Sequence, residues 1–291
     1  MVASVSEVSL EADPSVAEAL SKIPSLARHL PAILMPLSGM IERYTANLDI
    51  ARNRQLFEFF EFVRSTFSDD EYATVQRSHL TAENVDFIRA SNFLSSELKY
   101  LDFPFWAQSK FAVGRKLKLS EHAGKGILDI GSGPGHFGVV ARFFGCDYEG
   151  LDIAHPPWTP HTKRHLYDDL CEFFRIRRTM NPVRPFERLV LQRRYGLATC
   201  LMGNFCSYDV AASRRAPWGW REWAFLLEDL VTGVLTPTYH MYFHISRDYL
   251  PPDVVENVRR FAKTFDEERS VFTFDETLDL AELRRSVPRG P

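Results

Sequence analysis

The sequence predicts an α/β fold with a doubly wound, mostly parallel sheet, preceded by a helical segment. From residue 126 onward, short apolar runs alternate with amphipathic helical runs, which is the pattern of a parallel sheet covered on both faces. From 15 to 101 the patterning is helical throughout, with no convincing strand. We therefore expect an N-terminal helical cap at 1–105, acting as a lid, and a main domain at 106–291.

The helical cap is predicted from the spacing of its apolar side chains. Phe60, Val63 and Phe67 recur on one helical face. Thr81 is placed to cap a following helix that contains Val85. A junction containing proline then leads into a short helix that runs towards residue 117.

The main domain is predicted as strands and helices in turn. The elements are a strand at 127–130, a helix ending near Gly145, strands at 147–154, 195–205 and 238–246, a helix at 220–234, a helix near 254–262 and two short strands in the tail. The helix before Gly145 places Phe137, Val140 and Ala141 on one face. The two tail strands are separated by a charged turn, which favours an antiparallel hairpin at the sheet edge.

Composition excludes several classes of protein. The net charge of -3 provides no basic field for broad nucleic-acid binding. The four cysteines lack paired metal-ligand spacing, so we expect no metal site and read them as buried thiols of a reducing compartment. The first twenty residues carry acids and no signal-peptide pattern, and the longest apolar stretch is short and broken by prolines. We expect a cytoplasmic protein without a membrane segment.

The stretch "ILDIGSGPG" at 127–135 carries the strongest functional signal. An apolar strand with one acid, Asp129, runs into a loop with Gly131, Gly133 and Gly135, and a helix follows. Glycines adopt backbone angles closed to other residues and let a ligand approach the main chain, and the helix N-terminus behind them offers N–H groups. Such a loop holds an extended polar ligand over the strand ends. The alternative is a loop that only allows tight packing of strand against helix.

Two ligand classes compete for this loop. Gly133 to Gly138 matches G-x-G-x-x-G, and Asp152 follows at about the distance of a ribose-binding acid, as in dinucleotide sites. That match, however, leaves Gly131 and Ser132 unexplained. A nicotinamide- or flavin-dependent oxidoreductase is therefore one alternative function.

Taken whole, "LDIGSGPG" resembles the first motif of the class I, Rossmann-like S-adenosylmethionine-dependent methyltransferases, with its acid-x-Gly-x-Gly-x-Gly after an apolar strand. Asp152 stands where that family has a ribose-binding acid at the end of the second strand. The segment "WGWREW" at 218–223 is similar to one found in some small-molecule members. The resemblance covers about 105–275 and implies S-adenosyl-L-methionine as the cofactor. Its ammonium and ribose hydroxyls favour nearby carboxylates.

The resemblance also implies a set of cofactor contacts. In that family the glycines lie against the amino-acid half of the cofactor, and residues after the third strand contact the adenine. The predicted cofactor-binding residues are Asp129, Gly131, Ser132, Gly133, Gly135, Asp152, Ile153, Phe186 and Leu201. The segment 184–186 is expected to follow the third strand, which lies between 154 and 184, and Phe186 is the candidate for stacking on the adenine. His155, Trp158 and His161, in the loop after the second strand, lie on the ribose and adenine side, with a surface role for Trp158 as the alternative.

The candidate catalytic residues follow the later strands. Asn204 and Tyr208 are predicted at the end of the fourth strand, close to the methyl group, and His244 near the end of the fifth as a base or acceptor-binding group, with a buried core histidine as its alternative. The fourth strand lacks the acid before Pro-Pro that marks many amino-group methylases. We therefore expect methyl transfer to a small molecule, with oxygen favoured over nitrogen and nucleic-acid bases disfavoured.

Two further options stay open. The seven arginines between 175 and 194 suit an anionic acceptor, although a solvated face is the simpler interpretation. A non-catalytic, cofactor-binding module that holds a protein partner through its helical cap is the second alternative function, because no obvious base is present.

Overall fold

The computed structural model describes residues 14–90, 97–153, 165–209 and 214–287. Within these ranges it confirms the predicted α/β class with a mostly parallel sheet. The predictions for His155, Trp158 and His161 lie outside the described residues. No helix among the described residues is long and apolar enough to cross a membrane.

The elements alternate as expected from the patterning. The α-helices are α1 Pro14–Ser21, α2 Pro24–Ala27, α3 Leu30–Ile33, α4 Leu37–Thr45, α5 Ile50–Thr66, α6 Asp69–His79, α7 Ala82–Ala90, α8 Phe103–Lys116, α9 His136–Phe143, α10 Leu166–Phe173, α11 Trp220–Asp229, α12 Pro252–Phe261 and α13 Leu280–Ser286. The strands are β1 Gly126–Ile130, β2 Asp147–Asp152, β3 Arg178–Met180, β4 Tyr195–Gly203, β5 Cys206–Asp209, β6 Arg214–Pro217, β7 Leu235–Ile245, β8 Thr264–Asp266 and β9 Val271–Asp275. A π-helical turn, Leu230–Val234, continues α11.

The described residues form two compact units. The helical unit contains residues up to 118 together with 134–143 and 165–176, and therefore includes α9 and α10. The sheet unit contains 119–133, 144–153 and the described residues from 177 onward. The predicted division into 1–105 and 106–291 stays a prediction.

The sheet unit is built on seven strands in the order β3-β2-β1-β4-β7-β9-β8. β1 pairs in parallel with β2 and β4, β2 with β3, and β4 with β7. β9 is antiparallel to both β7 and β8. Because the chain runs outward from β1 in one direction and then returns to β4, the strand order reverses at β1 and β4, which is where ligands bind in such sheets. The predicted edge hairpin is confirmed.

The core of the sheet unit packs the inner side of α11 against alternate residues of the strands. Trp223, Leu226 and Leu227 are buried there with Phe243 of β7 and Phe272 of β9. The spacing of the helix in the sequence predicts this inner face, because Trp223, Leu226 and Leu227 recur at intervals of three and four residues, and the structure confirms it. On β1, Leu128 and Ile130 belong to this core. Asp129 lies between them and points to the other face of the sheet, where it is hydrogen-bonded to Tyr148 and Thr199.

The helical unit has an aromatic core of its own. Phe60 and Val63 of α5 are fully buried, and Phe67 is nearly so, as the periodicity predicted. The Thr81 side-chain oxygen accepts a hydrogen bond from the Asn84 N–H at 3.3 Å, so the predicted cap of α7 is confirmed.

One part of the architecture differs from the sequence-based expectation. β4 ends at Gly203, and the next residues form a separate antiparallel hairpin of β5 and β6. Tyr208 therefore lies within β5, opposite Arg215, instead of directly following the fourth strand. The strands of the hairpin are only four residues long, too short for a clear alternating pattern.

Candidate functional site

The glycine loop between β1 and α9 has the backbone that its composition predicts. Gly131, Gly133 and Gly135 have φ angles of 72°, 55° and 77°. Angles in this range strain any residue with a Cβ. At Gly131 an added Cβ would meet no atom within 4 Å, so the backbone angle, and not crowding, is what calls for glycine there.

The loop donates its own N–H groups to β2. The Gly131 and Ser132 N–H groups donate to the Leu151 carbonyl at 2.8 and 3.1 Å. The Gly133 N–H donates to Oδ2 of Asp152 at 2.8 Å. Pro134 has no N–H. Along 131–134, therefore, no backbone donor remains for a ligand.

Gly150 of β2 packs against Ser132 of the glycine loop. It was not predicted as a site residue. A Cβ at Gly150 would lie 2.5 Å from Oγ and 2.6 Å from Cβ of Ser132. The Ser132 hydroxyl is buried here with no hydrogen-bond partner among the described residues. The sequence did contain a signal, since a glycine inside a strand often marks the close approach of another backbone.

We predict that Gly150→Ala displaces the loop. The added methyl group overlaps the Ser132 side chain, whose backbone is tied to Leu151, so the free energy of unfolding should fall by about 1 to 3 kcal/mol. Urea unfolding measures this change. Gly196→Ala in β4 is the matched control, because a Cβ there meets no atom closer than 3.7 Å. Equal losses in the two variants would contradict this account of Gly150.

Asp129 is held inside the sheet unit by hydroxyl groups of the two neighbouring strands. Its carboxylate accepts hydrogen bonds from the Tyr148 hydroxyl at 2.8 Å and the Thr199 hydroxyl at 2.7 Å. The residue is 2% exposed. A buried carboxylate fixed in this way positions the end of β1 where the glycine loop starts. Direct contact with a cofactor stays a prediction for this residue.

Asp152 lies at the carboxyl end of β2, where a ribose-binding acid was expected. Besides the Gly133 N–H, the carboxylate accepts the Ile153 N–H at 2.8 Å on Oδ1. The guanidinium Nη2 of Arg178 lies 3.0 Å from Oδ2. Arg178, in β3, was predicted only as one of a run of surface or anion-binding arginines. Its buried ion pair with Asp152 is the main feature that the sequence did not reveal.

In the helical unit, Gly135 directly precedes α9, whose first residue is His136. A Cβ on Gly135 would lie 3.0 Å from Sγ of Cys171 and 3.3 Å from Ile176, so close helix packing also requires this glycine. The His136 ring is buried beside Tyr100 and Phe103. Burial, with the Lys110 charge in addition, lowers the pKa of His136 from its ordinary 6.5 to about 3. The imidazole is therefore neutral at physiological pH.

The end of β4 is irregular where catalytic residues were predicted. Met202 has a φ angle of 71°, and the register between β4 and β7 shifts between Leu201 and Gly203. Such bulges are common beside active sites, where they redirect side chains. Leu201 is a register partner of His244 on β7, so the structure brings these two predicted residues together. His244 is partly buried.

The other three predicted residues are not register partners of Leu201 or His244. These are Asn204, Tyr208 and Phe186. Asn204 follows β4 and is exposed, and the Tyr208 side chain is outside the described part of the structure. The Phe186 ring contacts Phe225 at 5.7 Å, with the Arg221 guanidinium 5.9 Å from its centre. Its described contacts are thus on α11, not at Asp152. The roles proposed for all three residues stay predictions.

Comparison with known proteins gives structural likenesses over part of the chain. No family model and no curated protein matches the sequence. Part of the chain is similar to a SAM-bound amino pentose methyltransferase from Micromonospora echinaspora involved in calicheamicin biosynthesis, with 18% identity, a TM-score of 0.31, and coverage of 48% of this chain and 51% of that one.

Two further structures show the same kind of likeness. The sugar N-methyltransferase KedS8 from Streptoalloteichus has 15% identity, a TM-score of 0.31, and coverage of 48% of this chain and 47% of that one. The N-methyltransferase NodS from Bradyrhizobium japonicum has 13% identity, a TM-score of 0.38, and coverage of 58% of this chain and 94% of that one. The matched region spans about half the length of the first two proteins. The fold class of this chain follows from its own strand order, a mostly parallel sheet that reverses at β1 and β4.

Proposed function

We propose that this protein transfers the methyl group of S-adenosyl-L-methionine to a small-molecule acceptor. The observation that carries the proposal is the state of the glycine loop. The N–H groups of Gly131, Ser132 and Gly133 are already bonded to β2. Along 131–134 the loop permits close approach of a ligand but has no free backbone N–H of its own for a phosphate.

The bonding of this loop supports one of the two ligand classes that the sequence left open. A dinucleotide carries a pyrophosphate, which binds best where several backbone N–H groups point at it. S-adenosylmethionine has no phosphate, and its ammonium and ribose hydroxyls are donors that need oxygen acceptors. The Asp152 carboxylate at the end of β2 is such an acceptor. The donor and acceptor balance of the loop therefore favours the methyltransferase over the oxidoreductase.

The residues present fit the cofactor in the following way. When bound, S-adenosylmethionine supplies a methyl group on a positively charged sulfur. In the proposal, the positive-φ glycines lie against its amino-acid half, and Asp152 accepts from the ribose. Leu201, Ile153 and Phe186 remain proposed apolar contacts. Methyl transfer by in-line displacement then requires mainly that the protein align the acceptor and exclude water.

For the acceptor we propose a small molecule with a hydroxyl oxygen, in a cytoplasmic enzyme. His136 has a pKa of about 3 and is buried, so it is a poor proton acceptor at neutral pH. His244, Asn204 and Tyr208 stay the proposed catalytic group. An acceptor that is already anionic would need no general base. An anionic small-molecule acceptor is therefore compatible with the described residues.

Binding of S-adenosylhomocysteine tests the proposal. We expect a micromolar to submillimolar Kd by isothermal titration calorimetry, and a loss of about a hundredfold in affinity for Asp152→Ala, because a charge-assisted hydrogen bond and the tether to Gly133 are both removed. Asp147→Ala is the matched control, since Asp147 begins the same strand and is exposed.

The alternatives predict different outcomes of the same experiment. Binding of a nicotinamide dinucleotide with no binding of S-adenosylhomocysteine would overturn the methyltransferase in favour of an oxidoreductase. Retention of S-adenosylmethionine without transfer of its labelled methyl group to any small-molecule fraction of an extract would favour the non-catalytic module.

A further inference from the structure

The helical unit contains an exposed arginine whose side chain is held by two buried ones. The Arg28 Nε–H donates to Nε2 of His29 at 3.0 Å, and Nδ1 of the same ring lies 2.8 Å from Oδ2 of Asp102. The side chains of His29 and Asp102 are 1% and 11% exposed, whereas Arg28 is exposed. Because Nε2 accepts from Arg28, Nδ1 carries the proton and donates to Asp102. The buried acid therefore orients the imidazole, and the imidazole orients the guanidinium.

Three aromatic rings, which we call the aromatic surface, lie beside this arginine. They belong to Tyr100, Phe105 and Trp106, and each residue is partly exposed. The Arg28 guanidinium carbon lies 4.9 Å from the centre of the Phe105 ring. The Trp106 ring centre lies 5.2 Å from that of Phe105 and 4.8 Å from that of Tyr100, so the three rings are continuous. The Trp106 indole N–H donates to the Lys99 carbonyl at 2.8 Å, which leaves the ring itself for apolar contacts.

A second cation, the Lys99 side chain, lies on the aromatic surface. Its Nζ is 5.2 and 5.6 Å from the centres of the Tyr100 and Trp106 rings. Burial lowers the pKa of Lys99 below its ordinary 10.5, and repulsion by the Arg28 charge lowers it further, although Glu97 acts in the opposite direction. The two positive charges thus act on one another at a partly buried surface, where an anion beside both would be stabilised.

The donors and charges indicate the kind of anion. A guanidinium has five N–H donors, and the Arg28 Nε–H is used by His29. The two terminal nitrogens form a fork that matches a carboxylate, and Arg28 forms no ion pair among the described residues. Glu97 and the buried Asp102 offset part of the positive charge, so a monoanion is favoured over a phosphate dianion. Beside the fork, the aromatic surface favours a ligand with a ring of its own.

We propose that the helical unit binds an aromatic carboxylate at Arg28. The carboxylate occupies the guanidinium fork, Lys99 contributes the second positive charge, and the ring of the ligand packs on the aromatic surface. His29 and Asp102 are positioning residues, which hold the fork in its binding orientation before the ligand arrives. Binding of this ligand requires no cofactor, so the inference does not rest on the proposed methyl transfer.

Titration calorimetry with three small molecules tests the proposal in the unaltered protein. Naphthoate carries both the ring and the carboxylate, naphthamide keeps the ring without the charge, and acetate keeps the carboxylate without the ring. We expect naphthoate to bind with one-to-one stoichiometry and a Kd of about 1 mM or below. Naphthamide and acetate should each bind at least about tenfold more weakly, because each lacks one of the two contacts.

Variants locate the site. Arg28→Gln should weaken naphthoate binding at least about tenfold and leave naphthamide unchanged, because only the charged contact is lost. Arg28→Lys keeps the charge but lacks the fork and the Nε–H that His29 accepts, so we expect a loss of about three- to tenfold. Arg43→Gln is the matched control at an exposed arginine of α4 in the same unit, and it should bind naphthoate as the unaltered protein does. Thermal melting establishes that each variant is folded.

Equal binding of naphthoate and naphthamide, or no binding of naphthoate, overturns the proposal, and neither result needs a variant. Equal weakening of naphthoate by Arg28→Gln and Arg43→Gln also overturns it, since general attraction between charges predicts that result. Full affinity in Arg28→Lys would overturn the positioning role of His29 and Asp102. Binding of S-adenosylhomocysteine is measured separately, so failure here and failure of the proposed function are distinct results.

Discussion

Trp223→Ala is expected to lower the free energy of unfolding by about 3 to 5 kcal/mol. Trp223 is among the largest fully buried side chains of the chain. Its ring centre lies 4.6 Å from that of Phe205, 5.8 Å from Phe243 and 5.7 Å from Phe272. Removing the Trp223 ring leaves a cavity between α11 and the sheet. The neighbouring aromatic rings are rigid, so they cannot move in to fill it. Urea unfolding monitored by circular dichroism measures the loss.

Two substitutions separate cavity formation from loss of the indole N–H. Nε1 of Trp223 is buried without a hydrogen-bond partner among the described residues. Trp223→Phe removes this polar group and part of the volume, so it should cost less than about 2 kcal/mol. Phe225→Ala, on the same helix but partly exposed, should cost about 1 kcal/mol. If Trp223→Ala were no more costly than Phe225→Ala, the proposed core would be wrong.

Several elements of the chain were predictable because their patterns are local. β1, the glycine loop and α9 follow from an apolar run, closely spaced glycines and a helical repeat ending at Gly145, which has a φ angle of 74°. The buried face of α11 follows from its spacing alone. The antiparallel hairpin of β8 and β9 at the sheet edge was likewise predictable, from two short apolar runs separated by a charged turn.

The register between strands could not be read in the same way. That Gly131 and Ser132 donate to Leu151 depends on how β1 is aligned with β2. No local pattern fixes that alignment, since a shift of two residues keeps every side chain on its face. The sequence therefore indicated a ligand loop but not which of its N–H groups remain available.

Arg178 shows why a run of like charges is hard to interpret. Arg177 and Arg178 are neighbours in a stretch whose charge predicts a solvated face. The exposed side chain of Arg177 agrees with that prediction. In an extended strand, adjacent side chains point to opposite faces. One of the two is therefore turned towards the interior, where it meets Asp152. A three-residue strand is too short to reveal this alternation in the sequence.

His136 is expected to make stability fall by about 2 kcal/mol between pH 7 and pH 5. Burial is the main reason that its pKa drops from 6.5 to about 3 in the folded chain. Below pH 6.5 the unfolded chain takes up a proton at this position and the folded chain does not. Stability from this residue is thus fully present above pH 6.5 and is progressively lost as the pH falls towards 3.

The ring environment accounts for this shift. His136 is 2% exposed, and its ring lies 5.4 Å from Phe103 and 6.0 Å from Phe174. The Nε2 atom has no hydrogen-bond partner in the described part of the chain. A hydrogen bond with the Tyr100 backbone favours the proton, but it is outweighed by desolvation.

Unfolding in urea at pH 7 and pH 5 tests the prediction with His136→Leu. The variant has an apolar side chain of similar size that does not titrate. Its free energy of unfolding should therefore fall by about 2 kcal/mol less than that of the unaltered protein between pH 7 and pH 5. The contributions of the other titrating groups are the same in both proteins and cancel in the comparison. His122→Leu, at a half-buried histidine, should leave most of the pH dependence in place. Identical pH dependence in His136→Leu and the unaltered protein would mean that the folded chain protonates this ring. His136, which directly follows Gly135 in the sequence, would then be a candidate base alongside His244. A confirmed shift leaves that role to His244.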